Sequence, residues 1–261
     1  MAGKLSIRPR VSATFTAATS IAASSTRACA CSRVSQRKSP VPPRPPVALI
    51  IGMGPGLSAA LARRFAASGY AIAGFARGPE KSAALAAEFA AQGRTLDLRA
   101  VDADDFDALG AAVSTVDAQV GPVEVLIYNA YSATSALPSQ LALDALMADF
   151  RVNVGGALAA VRAALPLMQA RGAGTILLTG GGLALDPTGW PAASSLAIGK
   201  AGIRNLAQSL HKELEGGPIR VATVTVTGQI LPGTVLSSER IAERFWDLHA
   251  MAAPAPVEVV L

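Results

Sequence analysis

From residue 47 onward, short apolar runs alternate with longer stretches whose apolar positions recur every three or four residues. The runs at 47–51, 70–76, 95–101, 123–128, 175–179, 219–226 and 257–260 read as strands. The stretches beginning at Leu57 and covering 80–92, 104–119, 141–170, 191–214 and 237–249 read as helices, the second stopped by Gly93. The near-continuous apolar character of 47–51 suits a strand buried on both faces. Strand and helix in strict alternation predict one α/β domain, a doubly wound parallel sheet with helices on both sides. Ligands of such sheets gather at the carboxyl ends of the strands. The loops after Ile51, Tyr128, Thr179 and Val226 fall there.

The first of these loops carries chemistry. Val47-Ala-Leu-Ile-Ile is followed by Gly52-Met53-Gly54-Pro55-Gly56, three glycines in five positions, and then by a helix with Leu57, Leu61 and Phe65 on one face. Strand, glycine turn and helix make a phosphate cradle, because backbone N–H groups and the positive end of the helix dipole face an anion. A Cβ in the turn would block close approach or the required φ.

With 261 residues, 51% of them hydrophobic, the chain suffices for one full-sized domain and not for two. The formal charge of +5 misleads about the body. Eight of the 23 basic residues, and no acidic one, lie in residues 1–46, so 15 basic face 18 acidic residues in 47–261. A nucleic-acid-binding surface on the body is therefore not expected. Residues 1–46 are rich in Ser, Ala, Thr and Arg, end in Pro42-Pro-Arg-Pro-Pro46, and read as a disordered basic extension. An unstructured extension from an upstream start codon, an organellar transit peptide and, with a poorer apolar centre, an export signal remain open for it. Both cysteines, Cys29 and Cys31, lie in this segment, so no disulfide framework is expected in the body, which fits a reducing compartment. Apolar runs of spanning length are absent from the sequence, and no membrane partner or metal site is expected. The expected location is cytoplasmic, or an organelle matrix if residues 1–46 are a transit peptide.

Residues 47–261 resemble the short-chain dehydrogenase/reductase family, whose fold is Rossmann-like. Gly52 and Gly56 match the first two glycines of its G-x-x-x-G-x-G turn, and Ser58 stands at the third, where a tight but tolerable contact is expected. The resemblance implies a nicotinamide dinucleotide held by Gly52, Gly54, Pro55, Gly56 and Leu57. It places Ala76-Arg77 where NAD-preferring members carry an acid for the ribose 2′-OH, so NADP(H) is expected over NAD(H), with Arg77 on the 2′-phosphate. A solvated arginine at a strand end is the alternative. It also places Asp102 at the adenine, helix capping by Asp102 or Asp104 being the alternative. Asn129-Ala130 matches the motif after the fourth strand, with Tyr131 in place of glycine. Gly228 and Ile230 fall where the family binds the carboxamide, with Thr227 replacing a proline.

Of the family's four catalytic positions the resemblance finds two. Asn153 matches the helix asparagine and Lys200 the lysine that binds the nicotinamide ribose, an ordinary helix asparagine and a surface lysine being the alternatives. The tyrosine position is Leu196, and the serine position falls among Gly180 to Gly182. Carbonyl reduction needs a proton donor. Tyr131 is the first candidate, with Thr179, Ser194, Ser195 and Asp186 behind it. The implied function is hydride transfer between NADP(H) and a small apolar carbonyl, alcohol or enoyl substrate. The alternative is a catalytically impaired NADP(H)-binding protein, a redox sensor or an oligomer partner. A homodimer or homotetramer is implied through the long helix 141–170 and the helix around 200–214. A lone His249 reads as a surface or packing residue.

Overall fold

Apolar runs with no polar face can only sit inside a sheet covered on both sides, and they do. A computed structural model describes residues 44–252 and 254–261. Its seven strands are β1 (Val47–Ile51), β2 (Ala71–Ala76), β3 (Leu96–Ala100), β4 (Val123–Tyr128), β5 (Gly174–Gly181), β6 (Ile219–Val226) and β7 (Glu258–Val260). They form one parallel sheet in the order β3-β2-β1-β4-β5-β6-β7. Every residue of β1 is buried. One face is covered by α3 (Phe106–Gln119), α5 (Gly156–Arg171) and α6 (Ser194–Glu213), through residues such as Leu109, Val113, Met168 and Ile203. The other is covered by α1 (Leu57–Ala67), α2 (Ala83–Ala91) and α7 (Ser238–Ala250), through Leu61, Phe65, Phe89 and Phe245. Strand order reverses between β1 and β4, so the chain leaves these neighbours toward opposite faces and opens a crevice at their carboxyl ends.

The predicted helix 141–170 is two helices, α4 (Leu143–Phe150) and α5, joined by a wide π-helical turn at Arg151–Gly155. The turn is paid for by contacts that periodicity does not show. The Tyr128 hydroxyl donates to the Val152 carbonyl, and Asn153 pairs with the backbone of Ser132. Gly156 is pressed against Tyr128 Oη and the Ala103 carbonyl, where a Cβ would lie 2.5 and 2.4 Å from them. The glycines after Thr179 are also not a loop: Gly180 and Gly181 continue β5 and pair with Thr225 and Val226. The second helix is preceded by a tight turn at Pro79–Ser82, and α3 is capped by Asp105, whose carboxylate accepts from the Ala108 N–H at 3.0 Å, rather than by Asp102 or Asp104. The predicted helix 191–214 starts later, at Ser194.

The proline lead-in joins the body: the Pro46 carbonyl accepts from Ala71 N–H at 2.9 Å, and the Arg44 guanidinium donates to the Ala118 carbonyl. Residues 1–43, with both cysteines and the targeting alternatives, lie outside the described residues. Among the described residues no helix is long and apolar enough to cross a membrane.

His249 packs inside, at the amino-terminal edge of the sheet. Its ring lies 5.7 Å from Phe65 and 5.3 Å from Trp246. The Tyr70 hydroxyl donates to Glu124 at 2.8 Å, so the 2.7 Å contact with His249 Nε2 requires that nitrogen to carry the proton. Nδ1 then accepts from the Thr175 hydroxyl at 3.0 Å. Burial lowers the His249 pKa and Arg220 lowers it further, against an opposing pull from Glu124. The unfolded chain therefore takes up this proton first as pH falls. The stability held here is complete above the ordinary histidine pKa of about 6.5 and is lost below it. Denaturation midpoints should fall between pH 7.5 and 5.5, and His249→Gln should flatten that decline, as chemical denaturation at several pH values will show.

Candidate functional site

The site begins where β1 ends. Gly52 has φ +88° and lies so close to the next strand end that a Cβ would sit 2.4 Å from the Ala130 nitrogen. Any other residue would be strained and would push β1 from β4. The Ser58 hydroxyl, 2% exposed, donates to the Gly52 carbonyl at 2.6 Å and accepts from the Asn129 side-chain amide at 2.8 Å. A serine at the third glycine position is thus more than a tolerated contact, since it fastens the turn to the end of β4. The pattern alone gave no sign of this. Gly54 and Gly56 face open space, with nothing within 4 Å of an added Cβ.

A cleft of about 1010 Å³ runs along this edge. At one end lie Arg77, Lys81 and Asp102, in the middle Gly52 to Ser58, Asn129 and Ala130, and at the other end Tyr131, Lys200, Gly228 and Ile230. Every residue that the sequence singled out for cofactor binding borders it. Among the described residues Arg77 and Lys81 have no ion-pair partner, while the Glu80 carboxylate folds back over Gly78. Lys81 was missed; its only sequence signal is its place four residues after Arg77. Asp102 is exposed and accepts from the Asp104 N–H at 3.1 Å.

Lys200 is not a surface lysine. Its Nζ donates to the Thr179 carbonyl at 2.8 Å and lies 5.9 Å from the Tyr131 ring centroid. Burial pulls its pKa down to about 8. Leu196 precedes it by one turn on the same face of α6, and both border the cleft. Gly181 faces the lysine stem, 3.2 Å separating a hypothetical Cβ from Lys200 Cγ. At Gly180 a Cβ would meet Thr225 Oγ1 at 2.4 Å, which rules out a serine there without repacking β6. Asn153 does not border the cleft. Its amide is spent on Ser132, donating to the carbonyl and accepting the N–H, both at 2.8 Å, beside a Gly199 that leaves room for it.

The other candidate proton donors fare unequally. Ser194 donates to the Ala136 carbonyl at 3.1 Å, and Ser195 is bonded to the backbone of Thr134, so neither faces the cleft. The Thr179 hydroxyl is buried and has no partner among the described residues. Tyr131 borders the cleft but is 62% exposed. Asp186 accepts from the hydroxyl and N–H of Thr188, which holds its carboxyl below the usual range and leaves it ionised. It borders a second cavity of about 560 Å³, walled by Leu183, Leu185, Trp190, Leu196 and Thr227 and continuous in its lining with the cleft. Thr227 donates its N–H to the Leu261 carbonyl at 3.0 Å, a bond that a proline there could not make.

A model of the short chain dehydrogenase family matches residues 46–240. The chain belongs to the short-chain dehydrogenase family. It is 29% identical to the oxidoreductase asL5 of Sarocladium schorii, over 79% of this chain and 80% of that one. It is 31% identical to an uncharacterized oxidoreductase of Mycobacterium tuberculosis, over 70% and 72%. Among solved structures, a short-chain dehydrogenase from Rhodopseudomonas palustris superposes with TM-score 0.74 at 27% identity, covering 82% of this chain and 97% of that one. A metagenomic short-chain oxidoreductase solved in complex with NADP superposes with TM-score 0.73 at 24% identity, over 83% and 96%.

Behind the cleft of this short-chain dehydrogenase, Asp149 is a buried carboxylate that sequence reasoning missed. It accepts from the Ser132 hydroxyl and the Thr134 N–H, each at 2.6 Å, and so holds the loop that follows Tyr131. Burial raises its pKa, but the hydrogen bonds from Ser132, Ser195 and Thr134 outweigh that and hold it low. Its stabilisation is present above the ordinary carboxylate pKa of about 4 and is lost as pH falls through the lower folded value. Asp149→Ala leaves buried donors unmatched and should cost about 1–3 kcal/mol, read by urea denaturation at neutral pH.

Proposed function

We propose that this chain is an oxidoreductase that binds NADP(H) in preference to NAD(H) and transfers hydride to or from a small, uncharged, apolar substrate. The observation that carries this reading is the continuity of the cleft. It joins two unpaired cations, a glycine turn at a helix N-terminus and a lysine, and at the lysine it meets a second cavity with apolar walls. The residues fit the dinucleotide: the open sides of Gly54 and Gly56 give a pyrophosphate room to approach the backbone N–H groups at the start of α1. Arg77 and Lys81 suit a 2′-phosphate, since no acid stands at Ala76 to take a ribose hydroxyl. The solved relative holding NADP supports the same choice. Lys200 would hold the nicotinamide ribose, and Gly228 and Ile230 the carboxamide end. When bound, the cofactor supplies or accepts hydride. Leu183, Leu185, Trp190 and Leu196 favour an apolar ligand.

A second reading keeps the cofactor and drops turnover. It is favoured by Leu196 and by the side-chain-free β5 end at Gly180 and Gly181. One set of assays separates the two: NADPH consumption with a panel of aldehydes, ketones and enoyl thioesters, alongside NADPH and NADH binding by fluorescence. Turnover with at least one apolar carbonyl is expected. Binding without any turnover would support the second reading. Arg77→Ala and Lys81→Ala should each weaken NADPH several-fold more than NADH; equal losses would refute the 2′-phosphate role.

The proposed homo-oligomer would use α4 and its neighbours. Leu143 is 75% and Met147 54% exposed on one stripe of α4, with Leu158 and Ile198 also exposed nearby in sequence order on α5 and α6. Met147→Asp should shift the chain toward monomer in sedimentation, with cofactor binding kept.

A further inference from the structure

The cofactor cleft and the apolar cavity share five lining residues: Trp190, Leu196, Lys200, Val226 and Gly228. A substrate carbon that receives hydride must sit where the two volumes meet, so the group that protonates its oxygen must be there as well. Of the five, only Lys200 carries a proton that it can release. Tyr131 borders the cleft and not the cavity, and its ring is largely in solvent. Asp186 borders the cavity and not the cleft. We propose that Lys200 is itself the general acid of this enzyme, its ammonium facing the substrate oxygen across the space that Leu196 leaves without a hydroxyl.

This inference rests on the oxidoreductase reading above and names the proton donor that reading requires. As the carbonyl carbon accepts hydride, the π electrons of the C=O bond move onto oxygen. An Nζ–H bond of Lys200 breaks, an O–H bond forms, and the alcohol and a neutral amine remain. Water entering the cavity returns a proton to the amine. The Thr179 carbonyl takes one Nζ–H at 2.8 Å, which aims the head group and leaves two protons for the ribose and the substrate. An ammonium beside the substrate oxygen also stabilises the developing oxyanion before the proton moves. The titratable groups to either side of that meeting place are Tyr131, which borders the cleft from the loop after β4, and Asp186, which borders the cavity from the loop after β5; no carboxylate pairs with Lys200 among the described residues.

Two measurements on the full chain test this. The first needs no turnover. Cinnamate, an apolar molecule ending in an oxyanion, is titrated into the protein by calorimetry. Because burial pulls the Lys200 pKa down to about 8 and only the ammonium attracts the carboxylate, cinnamate affinity should fall about tenfold between pH 7 and pH 9. Lys200→Met should abolish the binding. Lys200→Arg should keep it without the alkaline fall, since a guanidinium stays charged. Tyr131→Phe should keep the alkaline fall. The second measurement is NADPH-dependent reduction of 9,10-phenanthrenequinone. Lys200→Arg should bind NADPH and cinnamate yet lose about 10²–10⁴-fold in kcat, because it cannot give up a proton. Tyr131→Phe should lose far less than Lys200→Arg. Lys200→Arg turning over at the wild-type rate with an unchanged pH profile overturns the donor role alone, as does cinnamate binding indifferent to Lys200→Met. A wild-type chain that fails to bind NADPH overturns the oxidoreductase reading, and the donor role falls with it.

Discussion

The approach of Gly52 to the backbone of Asn129 and Ala130 is the constraint on which the working edge of this protein depends. Two neighbouring parallel strands end there, and their chains depart to opposite faces of the sheet. The crevice exists only if the two ends stay close, and they stay close only if no Cβ intervenes. Ser58 makes the arrangement rigid by bonding the Gly52 carbonyl with its proton and the Asn129 amide with its oxygen. One small hydroxyl therefore couples the glycine turn, the first helix and the fourth strand.

On the far side of the crevice a second set of close contacts performs a similar service. The π-helical turn at Arg151–Gly155 widens a helix that would otherwise run on. A wide turn strands backbone groups, and here Tyr128 takes the Val152 carbonyl while Asn153 turns its amide to Ser132. Asp149, one turn earlier, holds Ser132 and Thr134. The loop beyond Tyr131 is thus fixed by buried polar groups rather than by apolar packing, and satisfied groups of this kind specify one geometry.

The electrostatics of the site follow from these placements. Lys200 is drawn inside by the packing of α6 on the sheet, and among the described residues its ammonium meets one carbonyl and no carboxylate. A cation held in that way has a depressed pKa and a strong field, two properties useful to a proton donor. Leu196, which by chemistry alone looks like a loss, leaves the lysine, among the described residues, as the only acid shared by cleft and cavity.

Much of this was legible in the chain. Hydrophobic alternation determined the strands to within a few residues, because a parallel sheet buried on both faces requires continuous apolar runs. Gly52, Gly56, Asn129 and Gly228 could be placed on one edge, because topology sends every strand end there, and Lys200 joined them through its match to the family's lysine. What only the tertiary structure decided are contacts between residues far apart in sequence. The break in the helix predicted at 141–170 depends on Tyr128 and Ser132. The extension of β5 through Gly180 and Gly181 depends on pairing with β6, whose Thr225 leaves no room for a side chain at Gly180. The relay through Ser58, the buried Asp149 and the inward Lys200 have no periodic or compositional signature. A hydrogen bond between partners dozens of residues apart comes into existence only when the fold brings them together, and for that reason the cradle could be read from the sequence while the bonds that fasten it could not.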